Sequence, residues 1–395
     1  MLNQERGKPR DFTADLQFLR RHTEVVLLEG DGGERVAVTP RWQGKTMTSA
    51  VGRDNSPGFG WLNHDFIASG RVDHQANLHG GEDRFWIGPE GGQFAFYFEP
   101  GRPYDFRFWR CPELIDRQSF EVLEQTSKAI RLATEGSLRN HRGAEFEMRL
   151  EREVKILERP LIRNWLKELL PTHDLAEAVE AVGHESRNQL GNVGERDWLP
   201  ETGLPCIWNL GMFRPTPRTV MLLPFAPAAD AGQRSAVNCD YFGPLSDQRL
   251  RIDSERGLAL FVGDGQYRSK LGVGFQRARN LLGSWTPEEQ RLTLVQFNLP
   301  REVSQGYCCN LWQEQTEPLS GDVVNVYNDG PNESGGILGP FYELETLSPA
   351  LALRPGQKYE HRHCTLHFLA PREHLEGVAS GLFGISLKAV EQAFS

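Results

Sequence analysis

Glu145-Phe146-Glu147-Met148-Arg149-Leu150-Glu151-Arg152-Glu153-Val154 alternates between apolar and charged residues. Successive side chains of an extended strand point to opposite faces. Phe146, Met148 and Leu150 therefore share one face and charges occupy the other, the pattern of a half-buried β-strand. Similar short runs lie on both sides. Upstream, residues 23–29 lead into Gly30-Asp31-Gly32-Gly33 and then into 35–40, a hairpin signal. Residues 94–98, 119–123 and 129–133 are further strand candidates, and 219–223, 257–262, 291–297 and 322–327 follow downstream.

Two segments carry helical spacing instead. In 11–21, Phe12, Leu16 and Leu19 fall at i, i+4 and i+7, with Asp11 placed to cap. In 373–394, Leu375, Val378, Leu382 and Ile385 keep that spacing, with Gly377, Gly381 and Gly384 between them. The chain has 40 glycines and 24 prolines, so turn signals punctuate it throughout. Many short strands with frequent turns predict an all-β sandwich or barrel, with two peripheral helices. No linker divides the chain, so one domain over 1–395 is expected.

Composition narrows the function classes. Of 395 residues, 39% are hydrophobic and 25% charged, ordinary for a globular protein with a substantial core. The net charge of −9 argues against nonspecific nucleic-acid binding, which needs a basic footprint. No window approaches 18 apolar residues, so no membrane-spanning helix is expected, and the first ten residues carry no apolar signal region. Cys111, Cys206, Cys239, Cys308, Cys309 and Cys364 form no C-x-x-C pair. Reduced thiols in a cytoplasmic protein are the expectation. There is no G-x-x-x-x-G-K-[ST], G-x-S-x-G or H-E-x-x-H motif.

Four constellations can carry chemistry. In Asn77-Leu78-His79-Gly80-Gly81-Glu82-Asp83-Arg84-Phe85-Trp86, a titratable imidazole precedes two glycines, two acids, an arginine and a tryptophan. These are polar arms for sugar hydroxyls and a flat ring for a sugar's C–H face. In Gly339-Pro340-Phe341-Tyr342-Glu343-Leu344-Glu345, a strand would put Glu343 and Glu345 on one face, where mutual repulsion raises one pKa into the range of acid–base work. In 353–368, His361, His363 and His367 share a strand face. Zinc is conceivable there, but a polar outer face is the reading preferred. Nine tryptophans, among them Trp61 beside Asn63-His64-Asp65, offer stacking or packing surface.

Asn77-Leu78-His79-Gly80-Gly81 resembles the N-x-L-H-G-G motif of the galactose mutarotases (aldose 1-epimerases), with Ala76 in the place of the family's asparagine. Leu353-Arg354-Pro355-Gly356-Gln357-Lys358-Tyr359 with Thr365-Leu366-His367-Phe368 is similar to the family's closing strand pair. Leu344-Glu345-Thr346 followed by Pro349-Ala350 is similar to the segment holding its catalytic base. All three fall in the family's order, as in an uncharacterised branch of that superfamily.

The resemblance implies a large antiparallel β-supersandwich with a sugar site on its concave face. It implies Glu345 as base, or Glu343 because the spacing to the proline is one residue short, with His79 as a substrate-binding or catalytic histidine. Asn77, Glu82, Asp83, Arg84, Trp86 and Trp208 would join the substrate site. The family's acid histidine is absent: Pro205 stands in its place, before Cys206-Ile207-Trp208-Asn209-Leu210. His184 is a possible substitute. The implied ligand is a mono- or oligosaccharide, with no cofactor, metal, nucleic acid or membrane partner. The implied activity is that of an aldose epimerase-like isomerase. The alternatives are a noncatalytic sugar-binding or sensor protein and a lyase or hydrolase on the same scaffold.

Overall fold

The computed structural model describes residues 11–171, 176–227, 235–331 and 335–394. The strands form three antiparallel sheets. The quoted run becomes Glu145–Leu157, a strand within a ten-stranded sheet. Phe146, Met148 and Leu150 point inward into the main core, as the alternation requires. Arg152 lies on that same inward face and is fully buried, so the separation of apolar and charged faces is incomplete. The sheet's centre pairs Arg291–Phe297, Lys358–Leu369, Glu180–Asn192 and Glu145–Leu157.

A six-stranded sheet faces it, in the order Val237–Asn238, Ser269–Gly274, Asp322–Asn328, Tyr342–Leu347, Cys206–Phe213 and Arg84–Gly88. Its inward residues, including Phe85, Ile87, Leu271, Val326 and Leu344, close the core. A smaller sheet of Val26–Glu29, Arg35–Thr39 and Lys45–Ala50 carries the first helix, Phe12–His22. Asp11 caps that helix, its Oδ1 accepting from Ala14 N at 2.7 Å.

Between the two large sheets runs a buried polar layer. Arg152 Nη2 lies 2.7 Å from Oδ2 of Asp83, and Asn209 Nδ2 donates to Oδ1 of Asp83 at 2.7 Å. His361, His363 and His367 belong to this layer and are fully buried, which corrects the expectation of a polar outer face. Thr346 Oγ1 lies 2.9 Å from His361 Nε2 and from His363 Nδ1. His367 Nε2 lies 2.6 Å from Oε1 of Glu82. Most of these enclosed groups find a partner, as burial requires, but both ring nitrogens of His184 and Nδ1 of His361 have none.

The C-terminal segment corrects a second expectation. It forms two helices, Arg372–Phe383 and Leu387–Gln392. Gly384 takes φ 68°, a left-handed conformation that ends the first helix, and Ser386 caps the second. Residues 94–98 form no regular strand; Phe98 makes a single bridge to Trp109 while Phe96 and Tyr97 pack into the core. An additional helix, Arg159–Leu169, buries Ile162 and Leu166. Among the described residues, no helix is long and apolar enough to cross a membrane.

Candidate active site

The outward face of the six-stranded sheet carries a row of large side chains. Residues directly opposite in antiparallel strands point the same way. One rung aligns Lys270, Tyr327, Glu343 and Met212, and the next aligns Asn325, Glu345, Leu210 and Arg84. Trp86 pairs with Trp208 beyond them. Five of the six strands, separated widely in sequence, thus contribute to one surface.

This surface floors a cavity of about 1500 Å³, with Arg84, Trp86, Trp208, Lys270, Tyr327 and Glu343 in its lining. Ligand pockets for small molecules run roughly 300–1000 Å³, so there is room for more than one sugar ring. Loops wall it with Phe106, Trp109, Tyr241, Phe242 and Trp312.

Two ion pairs organise the floor. Arg84 Nη2 donates to Oε1 of Glu343, while the Arg84 guanidinium sits 4.8 Å from the Trp86 ring centre. Lys270 Nζ donates to Oε2 of Glu345 at 2.9 Å and stands 4.8 Å from the Trp208 ring centre. Trp208 Nε1 donates to the same Glu345 oxygen, also at 2.9 Å. Oε1 of Glu345 and Nε1 of Trp86 are buried without a partner. Glu345 itself is fully enclosed below Lys270 and Trp208 and does not reach the cavity lining.

Burial pushes the Glu343 carboxyl up to about 8, against the pull of Arg84 and with the help of Glu345. Burial also raises Glu90, whose Oε1 accepts from Trp109 Nε1 at 3.1 Å at the cavity wall. Lys270 is held above the ordinary lysine range: burial lowers it, but Glu345 and Glu90 prevail. The floor thus combines a protonatable carboxyl, a fixed ammonium and aromatic faces, groups able to bind a polyhydroxylated ring and to move a proton.

The structure brings Glu343, Arg84, Trp86 and Trp208 to the cavity, with Glu345 immediately below. It places the other sequence candidates elsewhere. His79 stacks on Trp42 with ring centres 4.0 Å apart and packs edge-on to Phe66 at 5.3 Å, outside the lining. Burial and then the charge of Lys45 depress its pKa to about 2, so it is neutral. The glycines after it serve the chain's own backbone: a Cβ on Gly80 (φ 92°) would sit 2.1 Å from the carbonyl oxygen of Trp61. Asn77 donates to Oδ2 of Asp116 at 2.6 Å. Glu82, Asp83 and His184 lie in the layer between the sheets, all fully buried.

Sequence reasoning missed Lys270, Glu90, Tyr241 and Arg268. Lys270 precedes the apolar alternation Leu271, Val273 in Ser269–Gly274, a signal of a half-buried strand but not of which face carries chemistry. Glu90 follows Trp86 by four residues, past the end of the motif.

The profile of a family described as a family of unknown function, DUF6786, matches residues 10–394. A comparison with curated proteins finds no match. Among solved structures, the chain is similar to a protein from Escherichia coli K12 assigned as an aldose 1-epimerase, at 11% identity and a TM-score of 0.49, covering 87% of this chain and 98% of that one. A galactose mutarotase related enzyme from Lactobacillus acidophilus is similar at 10% identity and 0.47, covering 88% and 98%. A galactose mutarotase-like protein from Lactobacillus casei is similar at 10% and 0.46, covering 87% and 100%.

Proposed function

We propose, from the premise that the chain belongs to DUF6786, that its cavity binds a carbohydrate and is equipped for epimerase-like proton transfer. The observation that carries this reading is the convergence of Glu343, Arg84, Lys270, Trp86 and Trp208 on one floor. Phe106, Phe242 and Trp312 on the walls offer accessible flat faces to a sugar's C–H bonds, while Trp86 and Trp208 back the Arg84 and Lys270 cations, which with Glu90 offer hydrogen bonds to its hydroxyls. Opening and reclosing an aldose ring needs an acid at the ring oxygen and a base at the anomeric hydroxyl. Glu343, lifted to about 8, is suited to the acid role near neutral pH. By the sequence resemblance the base is Glu345, which lies below the floor, outside the cavity lining, so Lys270 and Trp208 must shift before it can meet the anomeric hydroxyl.

A second reading, binding without turnover, is favoured by one observation: both carboxyl groups already have partners, Glu343 in Arg84 and Glu345 in Lys270. Exchange NMR across a panel of aldoses and uronic acids distinguishes the two. Accelerated anomer exchange, lost in Glu343→Gln or Glu345→Gln while affinity persists, supports the enzyme. Saturable binding with no acceleration supports the binding protein. No affinity for any sugar would refute both.

A further inference from the structure

Five basic residues line the cavity, and four have an acidic partner. Arg84 pairs with Glu343, Lys270 with Glu345, Arg107 with Asp105 at 2.9 Å and Arg71 with Asp73 at 3.9 Å. Among the described residues, Arg268 has no carboxylate within ion-pair distance and donates no hydrogen bond. Asp329, the acid whose field it feels, is already engaged: its Oδ1 accepts from Tyr327 Oη at 2.9 Å and its Oδ2 from Gly339 N at 2.9 Å. Of the lining acids not yet paired, Asp65 and Asp240 are exposed to solvent and Glu90 accepts from Trp109 Nε1.

Arg268 is nonetheless held in place. Its guanidinium lies 5.5 Å from the Phe106 ring centre and 5.2 Å from that of Phe242, and its Nε is buried without a partner. Two aromatic contacts orient the planar fork and desolvate part of it, while no carboxylate among the described residues pairs with its charge. An arginine in this state is a receptor for an oxyanion, which it can bind with two parallel hydrogen bonds.

Its position fits one ligand geometry. Arg268 stands two residues before Lys270 along an extended segment, about 7 Å away by strand rise. That is the scale of one pyranose ring. A ring held beside Lys270 would carry a substituent at its far end toward Arg268.

We propose that Arg268 is a specificity-determining residue and that the ligand is an acidic sugar, with a carboxylate or phosphate on the carbon furthest from the anomeric centre. This inference rests on the carbohydrate reading above and adds the charge class of the ligand.

The test is calorimetric titration of the full chain with matched sugars, namely glucose, glucuronate and glucose 6-phosphate, and galactose with galacturonate. The wild type binds an acidic member about 10- to 100-fold more tightly than its neutral counterpart, the range of a charge-assisted hydrogen-bonded pair. The carboxylate and phosphate arms show which oxyanion is taken. Arg268→Gln removes that preference and leaves neutral-sugar affinity unchanged, whereas Arg268→Lys retains part of it through charge without the planar fork. Thermal melts of both variants match the wild type. Equal affinity for acidic and neutral sugars, or a parallel loss of both in Arg268→Gln, overturns the acidic-sugar assignment while leaving carbohydrate binding intact. No binding of any sugar overturns both.

Discussion

Lys270 reaches across from a neighbouring part of the sheet to place its ammonium 2.9 Å from Glu345, beneath the cavity and against the Trp208 ring. Both side chains are almost entirely out of water, at 7% and 0% exposure. The attraction between two desolvated charges offsets their lost hydration only while both are present.

Lys270→Met leaves Glu345 buried beside an apolar side chain. Removing one member of a buried pair costs about 3–5 kcal/mol. A lower urea midpoint with an unchanged m value checks this. The double variant Lys270→Met, Glu345→Leu recovers part of the stability but no activity.

The Glu343 carboxyl sets a pH dependence. Its pKa in the folded protein, about 8, lies above the ordinary 4.5. Between those values the folded state holds a proton that the unfolded chain has released. Stability therefore falls as pH rises from about 4.5 to about 8. Glu343→Gln flattens this slope in urea melts across that range. With Glu343 as the acid, anomer exchange holds level through neutral pH and declines only as its proton is lost at about pH 8.

His79 behaves as a packing residue. Stacked on Trp42 and held neutral, its imidazole shows no titration in NMR spectra between pH 5 and 8. Because its folded pKa is depressed to about 2, stability is lost as pH falls below 6.5, where the unfolded chain takes up a proton first. His79→Ala lowers stability by about 2–4 kcal/mol through lost aromatic packing and leaves sugar affinity unchanged.

Asp83→Asn separates the interior polar layer from the ligand site. Arg152 keeps its geometry but loses its compensating charge, at a cost of about 3–5 kcal/mol. Sugar affinity measured well below the new melting temperature stays at the wild-type value.

The fold was legible wherever alternation was regular. Arg291–Phe297 coincides with the run read from sequence, and Glu145–Leu157 and Lys358–Leu369 extend theirs by a few residues. Glu180–Asn192 was not, because Gly183, Gly191 and its polar residues mask a strand defined by its two neighbours. The histidines of Lys358–Leu369 were assigned outward because periodicity gives a face but not its direction. Only the opposing sheet, with Thr346 and Glu82, supplies that. At the site, the like-facing pair Glu343 and Glu345 followed from a period of two, and Arg84 and Trp86 from the motif. Lys270 and Arg268 depend on which strand lies beside Asp322–Asn328, a fact of topology.

The floor draws Arg84, Trp208, Lys270 and Glu343 from strands spread over residues 84–347, and no shorter segment than 84–343 contains them all. Their meeting is a long-range event, delayed by the entropy of closing large loops. Affinity for the ligand consequently emerges only once the whole sheet has assembled, and occupancy stabilises the entire molecule rather than one patch of it. A titration is then also an assay of complete folding, and a fragment ending before Glu343 would be silent in it.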